Sequence, residues 1–110
     1  MIATAINVAH KVLIVESCVT LASLAGLYLK RRFPDVALVE AHSCDEARSA
    51  LRRHDFAALI VDGSLPDGEG LELLGEVDRL CPSASVILTS PCAPTKHFGE
   101  MDFFWLIKPF

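Results

Sequence analysis

Apolar and polar positions alternate along this chain in two distinct periods. Val12-Leu13-Ile14-Val15 is an unbroken apolar run inside Lys11 to Glu16. It is short and β-branched, which suits a strand covered on both faces. Val19 to Phe33 then carries Leu21, Leu24, Ala25, Tyr28 and Leu29 at three- and four-residue spacing, the period of a helix face. Lys30, Arg31 and Arg32 sit at its end, where cations suit the helix dipole, and Pro34 stops it. Val36 to Ala41 predicts a second strand. Ser43 predicts a helix cap, with Glu46 three residues on in capping-box order, and that helix runs through Ala47, Ala50 and Leu51 to about Arg53.

Phe56 to Val61, ending at Asp62, predicts a third strand. A Gly- and Pro-bearing loop leads to a helix from about Glu69 to Leu80, with Leu71, Leu74 and Val77 on one face. Ser85 to Thr89 and Phe103 to Ile107 predict the fourth and fifth strands. Between them, Pro91 and Pro94 oppose a regular helix, so a fourth helix is expected to be short or distorted. Strands alternating with helices, the inner strands apolar throughout, predict an α/β fold with a doubly wound parallel sheet of five strands. Right-handed crossovers would gather the carboxyl ends of the strands on one edge, where such folds place their ligands. The residues ending the strands there are Glu16, Asp62 and Thr89, with Lys108 after the last.

That set suggests phosphoryl chemistry. A carboxylate such as Asp62 can act as nucleophile toward phosphorus. Anion then meets anion, which a hard divalent cation held by oxygens would relieve. Lys108 would place positive charge on the phosphoryl oxygens, and Thr89 would donate a hydroxyl hydrogen bond to one of them.

In order, Val-Leu-Ile-Val-Glu16, Leu-Ile-Val-Asp62-Gly-Ser-Leu-Pro66-Asp-Gly-Glu-Gly70-Leu-Glu-Leu-Leu, Val-Ile-Leu-Thr89-Ser90 and Lys108-Pro109-Phe110 resemble the receiver domain of two-component response regulators. The resemblance covers residues 11–110 and leaves residues 1–10 as an amino-terminal extension. It implies the flavodoxin-like receiver fold and a signalling module in a phosphorelay rather than a metabolic enzyme. Asp62 would accept a phosphoryl group from a histidine kinase or phosphotransfer protein. Mg²⁺ would be held by Glu16, Asp62 and the backbone carbonyl of Ser64. Thr89 and Trp105 would be the switch residues and Lys108 the phosphate contact, with a cis bond before Pro109. An output protein would read the signal.

Three departures from the family pattern matter. The acidic pair usual after strand one reads Glu16-Ser17, so Mg²⁺ binding is expected to be weak, and Ser17 is expected to cap the helix instead. The stretch from Thr89 to Lys108 is short. The family continues into a fifth helix, and Phe110 is the last residue here. The apolar strand Phe103-Phe104-Trp105-Leu106-Ile107 then needs cover, expected from a homodimer through the side of strands four and five, or else from Ile2 to Val8 folding back. The alternative function is a pseudo-receiver, a protein-interaction module that works without phosphorylation.

Composition narrows the remaining classes. At 110 residues and 52% hydrophobic, the chain is one ordered domain. A net charge of −4 opposes general nucleic-acid binding. The charge is uneven, +1 over residues 1–61 and −5 over residues 62–110. No apolar run reaches membrane-spanning length and no export signal opens the sequence, which predicts a cytoplasmic protein. Cys18, Cys44, Cys81 and Cys92 lack metal-site spacing and read as reduced, small apolar side chains. His10, His42, His54 and His97 form no constellation in the sequence and are expected at the surface.

Overall fold

A computed structural model of the chain describes residues 10–90 and the backbone of residues 104–107. Elements follow in the order β1 (Lys11–Val15), α1 (Val19–Arg32), β2 (Ala37–Ala41), α2 (Cys44–Arg53), β3 (Ala58–Asp62), β4 (Ser64–Leu65), β5 (Gly68–Glu69), α3 (Gly70–Leu80), β6 (Ser85–Ser90) and β7 (Phe104–Ile107). The five long strands form one parallel sheet in the order β2-β1-β3-β6-β7. This is the alternating architecture the apolar runs predict. The central strands β1 and β3 are buried because helices cover both of their faces.

Alternate residues of each strand feed two separate cores. Leu13, Val15, Leu59, Val61, Val86 and Leu88 pack against α2 and α3. Val12, Ile14 and Ala58 pack against Ala22 and Leu29 of α1, with Val36 beside them. α2 buries Cys44, Ala47, Ala50 and Leu51, and Ser43 Oγ caps it by accepting the Glu46 N–H at 3.1 Å. α3 buries Leu73, Leu74 and Val77. Its start is fixed by the Glu69 N–H, which donates to Glu72 Oε1 at 3.0 Å.

α1 departs from expectation. Its buried residues are Ala22, Gly26 and Leu29, while Leu21, Leu24, Leu27 and Tyr28 are 47–68% exposed. The helix presents two apolar faces, and the one with small side chains faces the sheet. A Cβ at Gly26 would lie 3.3 Å from Leu38 Cδ1, so the helix sits too close for a bulkier residue to enter without movement. The large side chains are therefore turned outward. Ser17 is not the cap either: Cys18 holds that position, without a side-chain cap bond.

The loop after β3 also carries unexpected order. β4 and β5 form a small antiparallel hairpin, Leu65 opposite Gly68, around Pro66-Asp67. Proline at the second turn position and Gly68 at the fourth match the residue preferences of a type I turn. Leu65 is buried in the α2–α3 core and anchors the hairpin.

β7 lies at one edge of the sheet beside β6. Its side chains, and with them the expected dimer surface and the Trp105 switch, lie outside the described residues. So do the amino-terminal extension before His10, the short fourth helix, Lys108 and the Pro109 bond.

Candidate functional site

Asp62 ends β3 and pairs in register with Thr89 of β6. Val15 pairs with Val61, so Glu16 and Asp62 follow neighbouring strands at the same edge. All three side chains are nearly closed off from solvent: Glu16 is 8%, Asp62 6% and Thr89 3% exposed. Placing two carboxylates and a hydroxyl together at such depth is unfavourable unless each is partnered, so a site of this kind is held by its surroundings. The described residues leave no buried side-chain nitrogen or oxygen without a hydrogen-bond partner.

The backbone fixes this edge tightly. Asp62 Oδ1 accepts the Ser64 N–H at 3.2 Å, and Thr89 Oγ1 donates to the Val61 carbonyl at 3.5 Å. The Gly63 N–H donates to the Thr89 carbonyl at 2.7 Å, and the Gly70 N–H to the Gly63 carbonyl at 3.0 Å. A Cβ at Gly70 would collide with the Asp62 carbonyl oxygen and lie 2.9 Å from Val61 Cγ1. Glycine here lets α3 begin directly against the aspartate's own backbone. Across the edge, the Glu16 N–H donates to the Ala41 carbonyl at 2.9 Å, and Glu16 Oε2 accepts the Cys18 N–H at 3.1 Å. An anion at the amino terminus of α1 is favourably placed against the helix dipole.

The structure brings Glu16, Asp62 and Thr89 to one edge of the sheet, with Ser64 two residues beyond Asp62. Ser17 is exposed beside them. A residue that sequence reasoning missed is Asp67. From the hairpin turn its Oδ1 accepts the Cys44 N–H at 2.7 Å and its Oδ2 the Asp45 N–H at 3.0 Å. It therefore satisfies two open donors of the first turn of α2. Those backbone hydrogen bonds hold the Asp67 carboxyl below its ordinary range. Its partners stand more than twenty residues away, and the only local signal was an Asp after a Pro. Cys44, beside it, is buried and its thiol is pushed up to about 11 by burial and by the Asp67 charge. Cys44 and Cys81 are buried as expected of small apolar residues, but Cys18 is exposed.

The oxygen donors at this edge, the carboxylates of Glu16 and Asp62, are of the kind that suits a hard cation. Mg²⁺ takes few protein ligands and keeps water for the rest. Among the described residues no group of three or more His, Cys, Asp or Glu side chains could hold a metal. No helix of the described residues is long and apolar enough to cross a membrane.

No protein-family model matches the sequence, and no curated protein matches it. Solved structures do. A response regulator from Burkholderia pseudomallei, with a phosphorylated aspartic acid, a calcium ion and citrate, is 24% identical with a TM-score of 0.79. That match covers 92% of this chain and 61% of the other, so this chain spans under two thirds of that protein. A CheY-like receiver domain protein from Methanospirillum hungatei is 22% identical at a TM-score of 0.79, covering 92% of this chain and 82% of the other. The Thermotoga maritima response regulator TrrA, in complex with Mg²⁺ and BeF, is 20% identical at a TM-score of 0.75, covering 92% and 88%. With its sheet order, strand-end carboxylates and these neighbours together, the chain has the fold of a response-regulator receiver domain.

Proposed function

We propose that the chain is a signalling receiver that takes a phosphoryl group on Asp62 from a phosphohistidine of a kinase or phosphotransfer protein. The observation that carries this reading is the register pair Asp62–Thr89 at the carboxyl end of the sheet, with Glu16 beside it. In the transfer, a carboxylate oxygen of Asp62 bonds to phosphorus as the phosphorus–nitrogen bond breaks. The electron pair leaves with the imidazole, which takes a proton. Hydrolysis reverses the modification: water attacks phosphorus, the acyl phosphate bond breaks, and inorganic phosphate leaves with the carboxylate restored.

The residues divide the work by their chemistry. Ser64 N–H already points at Asp62 Oδ1 and keeps one oxygen oriented. Thr89 Oγ1, held on the Val61 carbonyl before the reaction, is the hydroxyl beside the new phosphoryl group. Its move from that carbonyl to a phosphoryl oxygen would transmit the event into β6. Lys108, following β7, would be the cationic contact. Glu16, Asp62 and the Ser64 carbonyl would hold Mg²⁺, which when bound offsets the charge between carboxylate and phosphoryl group.

A partner delivering a phosphoryl group must reach this edge, and α1 begins there. Its exposed Leu21, Leu24, Leu27 and Tyr28 offer a helical partner an apolar seat next to the site. An isolated acceptor does not bury such a face. A dimer through β7 remains a proposal of the apolar Phe103–Ile107 sequence.

A second reading rests on Ser17, an exposed hydroxyl where an acidic metal ligand would be expected. In that reading the fold works by binding alone. Intact-mass measurement with a small phosphodonor and Mg²⁺ separates the two. A gain of one phosphoryl group in the parent, absent in Asp62→Asn, supports the receiver. Equal absence in both establishes the binding module.

A further inference from the structure

We propose that the amino-end edge of the sheet, opposite Asp62, carries a second site that binds a small phosphate-bearing anion. An open concavity of about 640 Å³ lies there. Its lining includes His10 and Lys11 at the start of β1, Arg53 and His54 at the end of α2, and Asp55 and Phe56 before β3. Two permanent cations and two imidazoles therefore surround one carboxylate.

The donors are positioned, not merely clustered. Lys11 Nζ lies 3.0 Å from His54 Nδ1. An ammonium has only protons to give, so Nδ1 is the acceptor and the neutral ring carries its proton on Nε2, as a donor. The ring is braced edge-on by Phe56, at a centroid distance of 5.8 Å and an angle of 65°. Phe56 is itself buried, so it is a fixed support. The carboxyl end of α2 would repel an anion, and two of its carbonyls are engaged there. The Ala50 carbonyl accepts the His54 N–H at 3.0 Å, and the Ser49 carbonyl accepts Arg53 Nε at 3.3 Å.

This lining matches a compact, multiply charged oxyanion. Ammonium and guanidinium groups exclude a metal ion, and the polar wall disfavours an apolar ligand. Inorganic phosphate and a phosphomonoester share the chemistry required. The site is independent of the phosphoryl acceptor, since it stands at the other end of the strands.

Inorganic phosphate is the probe. NMR follows the His54 imidazole and the amides of residues 10–11 and 53–57 at constant ionic strength, with chloride as the comparison salt. Saturable shifts with phosphate alone are expected, unchanged in Asp62→Asn. Lys11→Met and Arg53→Gln should each weaken binding about tenfold, the size of one charge-assisted contact. Arg53 is exposed, so its variant reports binding even where Lys11→Met disturbs β1. Shifts that fail to saturate, that chloride reproduces, or that persist equally in both variants overturn the site. Shifts lost in Asp62→Asn assign the anion to the other edge and overturn it as well.

Discussion

Thr89 stands directly opposite Asp62 in the β3–β6 register, and its hydroxyl is spent on the Val61 carbonyl at 3.5 Å. At that length the bond is weak, so the hydroxyl can exchange it for a stronger acceptor at small loss. Thr89→Ala should therefore change stability by about 1 kcal/mol or less while slowing phosphoryl labelling of Asp62 markedly. Urea denaturation and timed intact-mass spectra measure the two effects. Equal labelling rates in variant and parent would remove Thr89 from the reaction.

Gly70→Ala tests how closely α3 abuts the site. The added methyl meets the Asp62 carbonyl, a backbone atom with no rotamer to yield. A loss of about 1–3 kcal/mol is expected, as for overpacked cores. Gly75→Ala is the comparison, because a Cβ there meets nothing within 4 Å. It should be neutral or stabilising, since alanine is the better helix former. Chemical denaturation midpoints of the pair decide the point.

Asp67 gives the acid limb of stability a local cause. Its folded-state carboxyl sits below the ordinary value of 3.8 because it accepts the Cys44 and Asp45 N–H groups. Folding therefore gains from its charged form above the unfolded value, and the gain is lost as pH falls through the lower, folded value. Asp67→Asn should flatten the fall of the urea midpoint below about pH 4. A slope identical to the parent's would show that other carboxylates carry it.

Leu24→Glu addresses the outer face of α1. The residue is more than half exposed, so folding stability should stay within about 0.5 kcal/mol of the parent. Transfer from a phosphohistidine protein should weaken, whereas labelling by a small phosphodonor should not. A variant that loses both has damaged the site itself, and one that loses neither shows the face is not the seat of the donor.

The sequence displayed whatever depends on neighbours along the chain. The apolar runs of β1 and β3 and the Ser43 cap are local patterns, and the strand-end positions of Glu16, Asp62 and Thr89 follow from them with the crossover rule. What stayed hidden depends on distance across the fold. Nothing near Asp67 indicates that it serves the first turn of α2, and nothing near Lys11 points to His54. The histidines look scattered in sequence, yet His10 and His54 converge on one concavity. On α1 the period is visible but the choice between two apolar faces is not. It was decided by how closely Gly26 lets the helix approach Leu38.

The Asp67 clamp also sets an asymmetry in what sequence change the loop tolerates. It grips only main-chain N–H groups, which every residue but proline supplies. The side chain at position 45 is therefore free to drift. Position 67 needs two oxygens on a short stem and is not. Asparagine would keep a single acceptor, and glutamate would overreach a turn whose ends are pinned by Leu65 and Gly68. Exchanges at position 45 should accumulate quietly, proline excepted, while those at the hairpin tip, like those at the buried Cys44, should be purged.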